Sequence, residues 1–139
     1  MKLSTKGRYG IRAMYELAYV YGQGPLSIKE IAARQAIPEA YLEQLVLPLK
    51  RAGLVTATRG AQGGYTLAKA PEDTSVGEVL HALEGPMAPA SCVLEDDPCE
   101  NADGCAMHKL YKRIHEGLNE ILNSITLAEM LEDKPCHCS

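Results

Sequence analysis

The chain has 139 residues, of which 46% are hydrophobic, and it carries a formal net charge of −4. This length suits one ordinary domain, or a small domain with an appended helical segment, and the apolar content is enough for a core, which excludes a disordered protein. No apolar run approaches the roughly 20 residues that a membrane span needs, and no leader segment is apparent, so we expect a cytoplasmic protein with no membrane partner.

The charge is divided unevenly between the two halves of the sequence. Residues 1–70 hold ten Lys and Arg against four Asp and Glu, a net +6, whereas residues 71–139 hold four against fourteen, a net −10. A basic first half suits a surface that faces phosphates, although two unequal solvated surfaces would give the same charges. The odd number of cysteines, five, favours metal ligands or redox thiols over a disulfide framework.

Residues 1–70 are predicted to form a winged helix-turn-helix domain. Apolar residues at helical spacing predict a first helix over residues 5–21. The sequence Ser27-Ile28-Lys29-Glu30 matches a capping box, in which Ser27 and Glu30 cap each other's amides, and it should open a short second helix to about Arg34. A short turn then leads to a third helix, which completes the helix-turn-helix.

The third helix is predicted to begin with Pro38 at its first position and to run to Ala52. Pro48 should kink or tighten this helix, because proline removes a backbone donor and crowds the preceding turn. Residues 54–59 and 65–67 are predicted to form two strands joined by a glycine-rich turn. This hairpin would be the wing.

The second half is predicted to be helical around one long loop. Residues 71–91 are assigned to a linker and a short helix, which a second capping box opens at Ser75. Residues 84–103 are rich in proline and acidic residues and have no periodicity, which predicts a long loop. Residues 92–108, in and just beyond it, are assigned to a cluster-binding loop. Residues 105–131 are assigned to a long amphipathic helix with a short terminal helix, and residues 132–139 to a tail.

The predicted fold class is mainly α with a small β-hairpin: a winged helix-turn-helix domain plus a long C-terminal dimerisation helix. Dimerisation is expected because a small protein with a long amphipathic helix near its end commonly pairs through that helix. The alternative is that the helix packs on its own first domain.

Candidate DNA contacts follow from the helix-turn-helix. The start of its second helix enters the major groove, where Gln44 can form two hydrogen bonds to adenine and Glu43 can accept one from a cytosine amine; Ala40 lies on the same stretch. Arg59 and Gly60 at the hairpin tip form a slim basic probe for a narrow minor groove. Phosphate contacts are assigned to basic side chains, for which the alternative is an ordinary solvated surface: Lys2, Lys6, Arg8, Arg12, Lys50 and Arg51.

A candidate metal site lies in the second half. Cys92, Cys99, Cys105 and His108 fall within seventeen residues and make a complete set of four ligands for a soft metal or an iron–sulfur cluster. The gaps between the cysteines are wider than the about two to four residues typical of structural zinc sites, which favours a larger centre spanned by a loop. Inert thiols are the alternative, although acidic surroundings are a poor place to bury them.

Several segments together resemble the IscR-type family of iron–sulfur cluster transcriptional regulators, a winged-helix family that also includes NsrR and CymR. The resemblance runs in order along the chain to about residue 131, and it is carried by the three cysteines with one histidine and by four segments: Leu3–Arg12, Tyr41–Leu45, Arg59–Tyr65 and Val76–Val79. It implies a homodimer that binds a near-palindromic promoter site in double-stranded DNA. It also implies that a [2Fe–2S] cluster is held by the four candidate ligands, and that DNA is read by Glu43, Gln44 and Arg59.

The sequence departs from the IscR pattern at three places. One extra residue lies between Cys92 and Cys99, Ala40 replaces a common hydroxyl residue, and the tail carries Cys136-His137-Cys138. NsrR-like members can take a fourth ligand from the first helix, where this chain has Arg8, so the comparison favours His108 as ligand.

We therefore expect a regulator, not an enzyme, that senses iron–sulfur status, redox stress or nitric oxide. An enzyme is disfavoured because no second acid/base motif or phosphate-cradling loop accompanies the thiols. The alternatives are a zinc-bound or thiol-redox repressor without a cluster, and an NsrR-like nitric-oxide sensor with a [4Fe–4S] cluster.

Overall fold

A computed structural model describes residues 3–85 and 104–133 of the chain. The predicted class, mainly α with a small β-hairpin, is confirmed. Most of the predicted cluster loop, with Cys92 and Cys99, lies outside the described residues, as do Lys2 and residues 134–139 of the tail. The elements are, in chain order, α1 (Thr5–Tyr19), α2 (Ile28–Gln35), α3 (Glu39–Arg51), β1 (Val55–Thr58), β2 (Gly64–Leu67), a 3₁₀ turn (Pro71–Asp73), α4 (Val76–Glu84), α5 (Ala106–Ser124) and α6 (Leu127–Met130).

Side-chain caps explain where most helices begin. Both hydrogen bonds of the predicted capping box at Ser75 form: the Glu78 amide donates to Ser75 Oγ, and the Ser75 amide donates to the Glu78 carboxylate, each over 3.1 Å. At Ser27 only one half forms, with the Glu30 amide donating to Oγ over 3.1 Å. These caps satisfy amides that have no partner inside the helix, which fixes the helix starts.

The two prolines of α3 have different roles. Pro38 is the N-cap, one residue before its predicted place, and its carbonyl accepts from the amides of Tyr41 and Leu42 over 3.1 Å each. Pro48 lies inside the helix, which continues past it to Arg51. The chain therefore accommodates the missing donor of Pro48 without ending α3.

The wing is a two-stranded antiparallel sheet tied to the segment before α2. Thr56 pairs with Thr66, and their hydroxyls lie 2.8 Å apart. On the other side of β2, Leu26 and Tyr65 exchange two backbone hydrogen bonds of 3.0 and 2.9 Å. A Cβ at Gly64 would lie 2.5 Å from the Leu26 carbonyl oxygen, so only glycine permits this close approach.

The core lies between α1, α3 and α4, with contributions from α2, the wing and α6. Helix α4 buries its apolar face, including Val79, Leu80 and Leu83, and packs against α1. The segment predicted as a linker and short helix is thus part of the same core as the helix-turn-helix. Leu127 of α6 is also fully buried in this core.

Helix α5 differs from the other long helices because none of its residues is buried within the described part of the chain. At the C-terminal end, the Val76 amide donates to the Ile125 carbonyl over 2.8 Å, and the Leu127 amide donates to the Thr74 carbonyl over 3.0 Å. The apolar side chains left exposed along one face are Met107, Leu110, Ile114 and Ile121.

Candidate nucleic-acid interface and metal centre

Helix α3 is amphipathic, and its polar face points away from the core. The turn before it uses Ala36, which adopts the left-handed conformation at φ 53°, and Ile37, which is buried. Four apolar side chains of α3 are buried and fix its rotation: Leu42, Leu45, Val46 and Leu49. The opposite face is exposed and carries the three residues predicted to meet base edges, followed by an apolar and two basic residues: Ala40, Glu43, Gln44, Leu47, Lys50 and Arg51.

Leu47 is the member of this exposed face that the sequence did not reveal. Its side chain is 53% exposed, one turn after Glu43 and Gln44. Leucine in a helix with so many buried apolar neighbours reads as core, and only its angular position relative to Glu43 separates it from them. It adds an apolar surface between the candidate base readers and the basic end of α3.

The hairpin tip presents Arg59 and Gly60 to solvent. Gly60 adopts φ 110°, a conformation that a side chain would strain, and its carbonyl accepts from the Gly63 amide over 3.0 Å to close the turn. The arginine is therefore carried on a narrow turn, and no bulky neighbour at position 60 blocks its approach to a groove.

The basic residues of α1 have three different environments. Lys6 is exposed, as its assignment to a phosphate contact requires. Arg8 is partly buried: its Nη2 donates to Thr5 Oγ1 over 3.3 Å, while its Nε is buried and finds no hydrogen-bond partner in the part of the chain that the structure describes. Arg12, also expected at phosphate, instead donates to both the side chain and the backbone of Gln35.

Two of the four predicted metal ligands lie in the described part of the chain, at the start of α5. Cys105 is the N-cap, and the His108 amide donates to its Sγ over 3.5 Å, so the two candidate residues are one helical turn apart. The Nδ1 atom of His108 is buried and has no hydrogen-bond partner among residues 3–85 and 104–133. Within the described residues no group of three or more ligating side chains comes together.

The chemistry of this pair fits a metal centre. A buried imidazole nitrogen without a partner is costly unless something else binds it, and a metal is an acceptor of its lone pair. The sulfur at a helix N-terminus lies where negative charge is favoured, which suits a thiolate ligand. The donor atoms of Cys105 and His108 are thus compatible with a metal centre that would need further ligands.

Comparison with known proteins identifies the family to which this fold belongs. The family model described as "Rrf2: Iron-dependent Transcriptional regulator" matches residues 3–133. The chain belongs to the Rrf2 family. As an Rrf2 regulator it is a DNA-binding transcriptional regulator and not an enzyme, which confirms the predicted class of protein.

Individual relatives of this Rrf2 chain include both CymR and IscR proteins. The transcriptional regulator CymR of Bacillus subtilis is 44% identical over 130 residues, which cover 94% of this chain and 89% of CymR. The solved structure of that CymR, described as the global cysteine regulator, has a TM-score of 0.81 and covers 97% of this chain and 99% of its own.

The IscR relatives are similar over the same span. IscR of Erwinia tasmaniensis is 37% identical over 134 residues, 96% of this chain and 81% of that protein. The structure of T. potens IscR is 43% identical, with a TM-score of 0.77 and coverage of 96% of this chain and 88% of its own. These similarities confirm the resemblance to IscR-type regulators.

Among residues 3–85 and 104–133 of this Rrf2 chain, no helix is long and apolar enough to cross a membrane.

Proposed function

We propose that this Rrf2 chain is a homodimeric regulator that binds a near-palindromic promoter site in double-stranded DNA and responds to a [2Fe–2S] cluster. In this proposal residues 1–70 contact DNA, residues 92–108 hold the cluster, and residues 105–131 pair the two copies. The single observation that carries it is the buried, unpartnered Nδ1 of His108 beside Cys105.

DNA reading is assigned to the exposed face of α3 and to the wing. Ala40, Glu43 and Gln44 lie on one face within two turns, so one major groove can receive all three. Arg59 and Gly60 at the hairpin tip would enter the adjacent minor groove. Lys6 and Arg8 at the start of α1 would contact phosphates, which set the register without selecting bases.

The cluster is assigned to Cys92, Cys99, Cys105 and His108. Three thiolates and one imidazole are a donor set suited to an iron–sulfur cluster, which when bound would supply a redox-sensitive link between the loop and α5. The chain's own part in this response is to supply two ligands from the start of α5 and two from residues 92–99. The sequence between these ligands carries like charge that a bound cluster would have to accommodate: Glu95, Asp96, Asp97, Glu100 and Asp103.

Dimerisation is assigned to α5. Exposed side chains at positions 107, 110, 114 and 121 repeat at helical spacing, and the described part of the chain leaves them uncovered. A second copy of α5 would cover the same face by two-fold symmetry, since a self-complementary patch is what such an interface requires. The two copies of α3 would then address two half-sites.

The cluster is tested on protein purified without oxygen. We expect visible sulfur-to-iron absorption and about two irons and two sulfides per chain. His108→Ala and Cys105→Ala should lose iron, whereas Cys138→Ala in the tail is the matched control that should keep it. Zinc in place of iron, or equal iron in all three variants, would contradict the proposed site.

The similarity to CymR, whose structure is described as that of a cysteine regulator, favours a second candidate. In it the same residues act as a zinc-bound or thiol-redox centre without a cluster. Metal content separates the two: a chain free of iron whose DNA binding responds reversibly to thiol oxidation fits the second. About four irons per chain would indicate instead a [4Fe–4S] centre of the NsrR type.

A further inference from the structure

We propose that Arg12 is a positioning residue for α3, the recognition helix, and not a phosphate contact. Arg12 would hold the end of α2 and the start of α3 at a fixed place relative to α1, and thereby set the sequence selectivity of DNA binding. This inference rests on the proposed role of α3 as the DNA-reading helix.

The first contact is with the end of α2. Arg12 Nε donates to Gln35 Oε1 over 3.0 Å, and Arg12 Nη2 donates to the Gln35 carbonyl oxygen. Gln35 is the last residue of α2, immediately before Ala36, whose left-handed conformation begins the turn to α3. The planar guanidinium offers donors in a fixed fork, so it can bind the side chain and the backbone of one residue together; a lysine ammonium lacks that geometry.

The second contact extends into the core. Gln35 is 1% exposed, and its Nε2 donates to Glu16 Oε1 over 2.5 Å. Glu16 is 5% exposed, and its other carboxylate oxygen lies 3.5 Å from Arg34 Nη1. The amide group of Gln35 is thus bonded at both its oxygen and its nitrogen. Removal of Arg12 leaves a buried carbonyl and a buried amide oxygen without this donor, which disturbs the end of α2.

The third contact leads to the recognition helix. The Arg12 guanidinium lies over the Tyr9 ring, with 5.0 Å from Cζ to the ring centroid. Tyr9 in turn meets Tyr41 edge to face, with 5.5 Å between ring centroids and 87° between planes. Tyr41 lies in the first turn of α3, next to Ala40 and two positions before Glu43. Both arrangements are favoured electrostatically, so the cation and the two rings form one packed stack.

The combined contacts reach both sides of the turn that joins α2 to α3. Arg12 holds one side through Gln35 and the other through Tyr9 and Tyr41. Because the exposed face of α3 moves with its backbone, a displaced first turn shifts Glu43 and Gln44 relative to base edges. Hydrogen bonds to bases depend strongly on geometry, whereas phosphate attraction acts over longer distances, so selectivity should fail first.

The test compares Arg12→Lys and Arg12→Gln on two probes. One is the duplex that the wild-type chain enriches most from a randomised library, and the other is the same duplex with its sequence shuffled. We expect both variants to lose roughly tenfold in the affinity ratio between the probes. The slope of log affinity against log salt should equal that of the wild type in both variants, because no phosphate contact is removed.

A phosphate contact predicts a different pattern. Arg12→Lys would then bind like the wild type, and Arg12→Gln would weaken both duplexes equally and reduce the salt slope by about one. Either that pattern or an unchanged affinity ratio in both variants overturns the proposal. Lys50→Gln, on the exposed face of α3, is the reference variant that should show the reduced slope.

The route through Tyr41 is tested by a double-mutant cycle. Arg12→Gln and Tyr41→Leu should be non-additive in the affinity ratio, since both act on the same stack, and additive effects would reject this route. Thermal unfolding of each variant identifies the temperature range in which all are folded. The Gln44→Ala variant separates this inference from the proposed function. If Gln44→Ala leaves the affinity ratio unchanged, α3 is not the helix that reads bases. If Gln44→Ala lowers the ratio but the Arg12 variants do not, Arg12 has no positioning role.

Discussion

Leu47 and Leu49 lie two positions apart on α3 in opposite environments. Leu49 is 0% exposed and Leu47 is 53% exposed. We expect Leu49→Ala to lower the free energy of unfolding by about 2–5 kcal/mol, because it leaves a cavity in the core. Leu47→Ala, the matched control, should change it by less than about 0.5 kcal/mol. Chemical denaturation measures both, and equal losses would mean that Leu47 is covered in the folded protein.

Tyr15 connects α1 to the end of the described chain, and its hydroxyl donates to the Asp133 carbonyl over 2.9 Å. Burial, reinforced by nearby Glu16, Tyr19 and Asp133, raises the pKa of Tyr15 above its ordinary value of 10.0. The phenol therefore stays protonated in the folded chain at pH values where it ionises in the unfolded chain.

This shift predicts a pH dependence of stability. Above pH 10 the unfolded state binds fewer protons at Tyr15 than the folded state, so the free energy of unfolding should fall as pH rises toward the raised pKa. Tyr15→Phe should reduce this alkaline loss, while Tyr21→Phe, which alters an exposed ring, should not. Urea denaturation at a series of alkaline pH values measures it, and an identical slope in Tyr15→Phe would reject the role of Tyr15.

Among the secondary-structure elements, α4 depends on a cap that can be removed by one substitution. Ser75→Ala deletes the oxygen that accepts from the Glu78 amide, and we expect a loss of about 0.5–2 kcal/mol in the free energy of unfolding. Ser124→Ala, at the exposed end of α5, is the control and should cost less. Thermal or chemical denaturation at neutral pH gives both values, and no difference between them would show that the cap contributes nothing.

The elements that the sequence predicted best are those defined by short-range signals. The caps at Ser27 and Ser75 and the pairing of Cys105 with His108 depend on residues three positions apart, so the sequence contains all the information. The ends of helices shifted by one or two residues, as at Tyr19 and Pro38, because tertiary packing decides the last turn.

The features that escaped prediction depend on contacts distant in sequence. Arg12 and Gln35 are 23 positions apart, and nothing in the pattern of α1 indicates that its arginine meets the end of another helix. The sequence suggested that Arg12 contacts phosphate, because a positive charge alone does not distinguish a phosphate contact from a hydrogen bond to another helix. The packing of α4 on α1 was likewise hidden, since its short apolar pattern shows that a face is buried but not what covers it.

For the whole molecule, the proposed dimer depends on the exposed apolar face of α5. Ile114→Glu places a charge in the centre of that face, and we expect it to convert a dimer into a monomer, because a buried unpaired carboxylate is strongly unfavourable. Lys112→Gln changes the net charge by the same amount on the opposite side of the helix and should leave the dimer intact. Analytical ultracentrifugation measures the mass, and a dimeric Ile114→Glu would place the interface elsewhere.

Two backbone hydrogen bonds beside the C-terminal end of α5 attach it to the start of α4. These bonds, made by Ile125 and Leu127, fix the position of one end of the helix. The 19 residues of α5 extend about 28 Å from there to Cys105 at the other end. A tilt of α5 by about 10° about its C-terminal end would move Cys105 by about 5 Å. A modest rotation close to the core would therefore become a large displacement at the far tip.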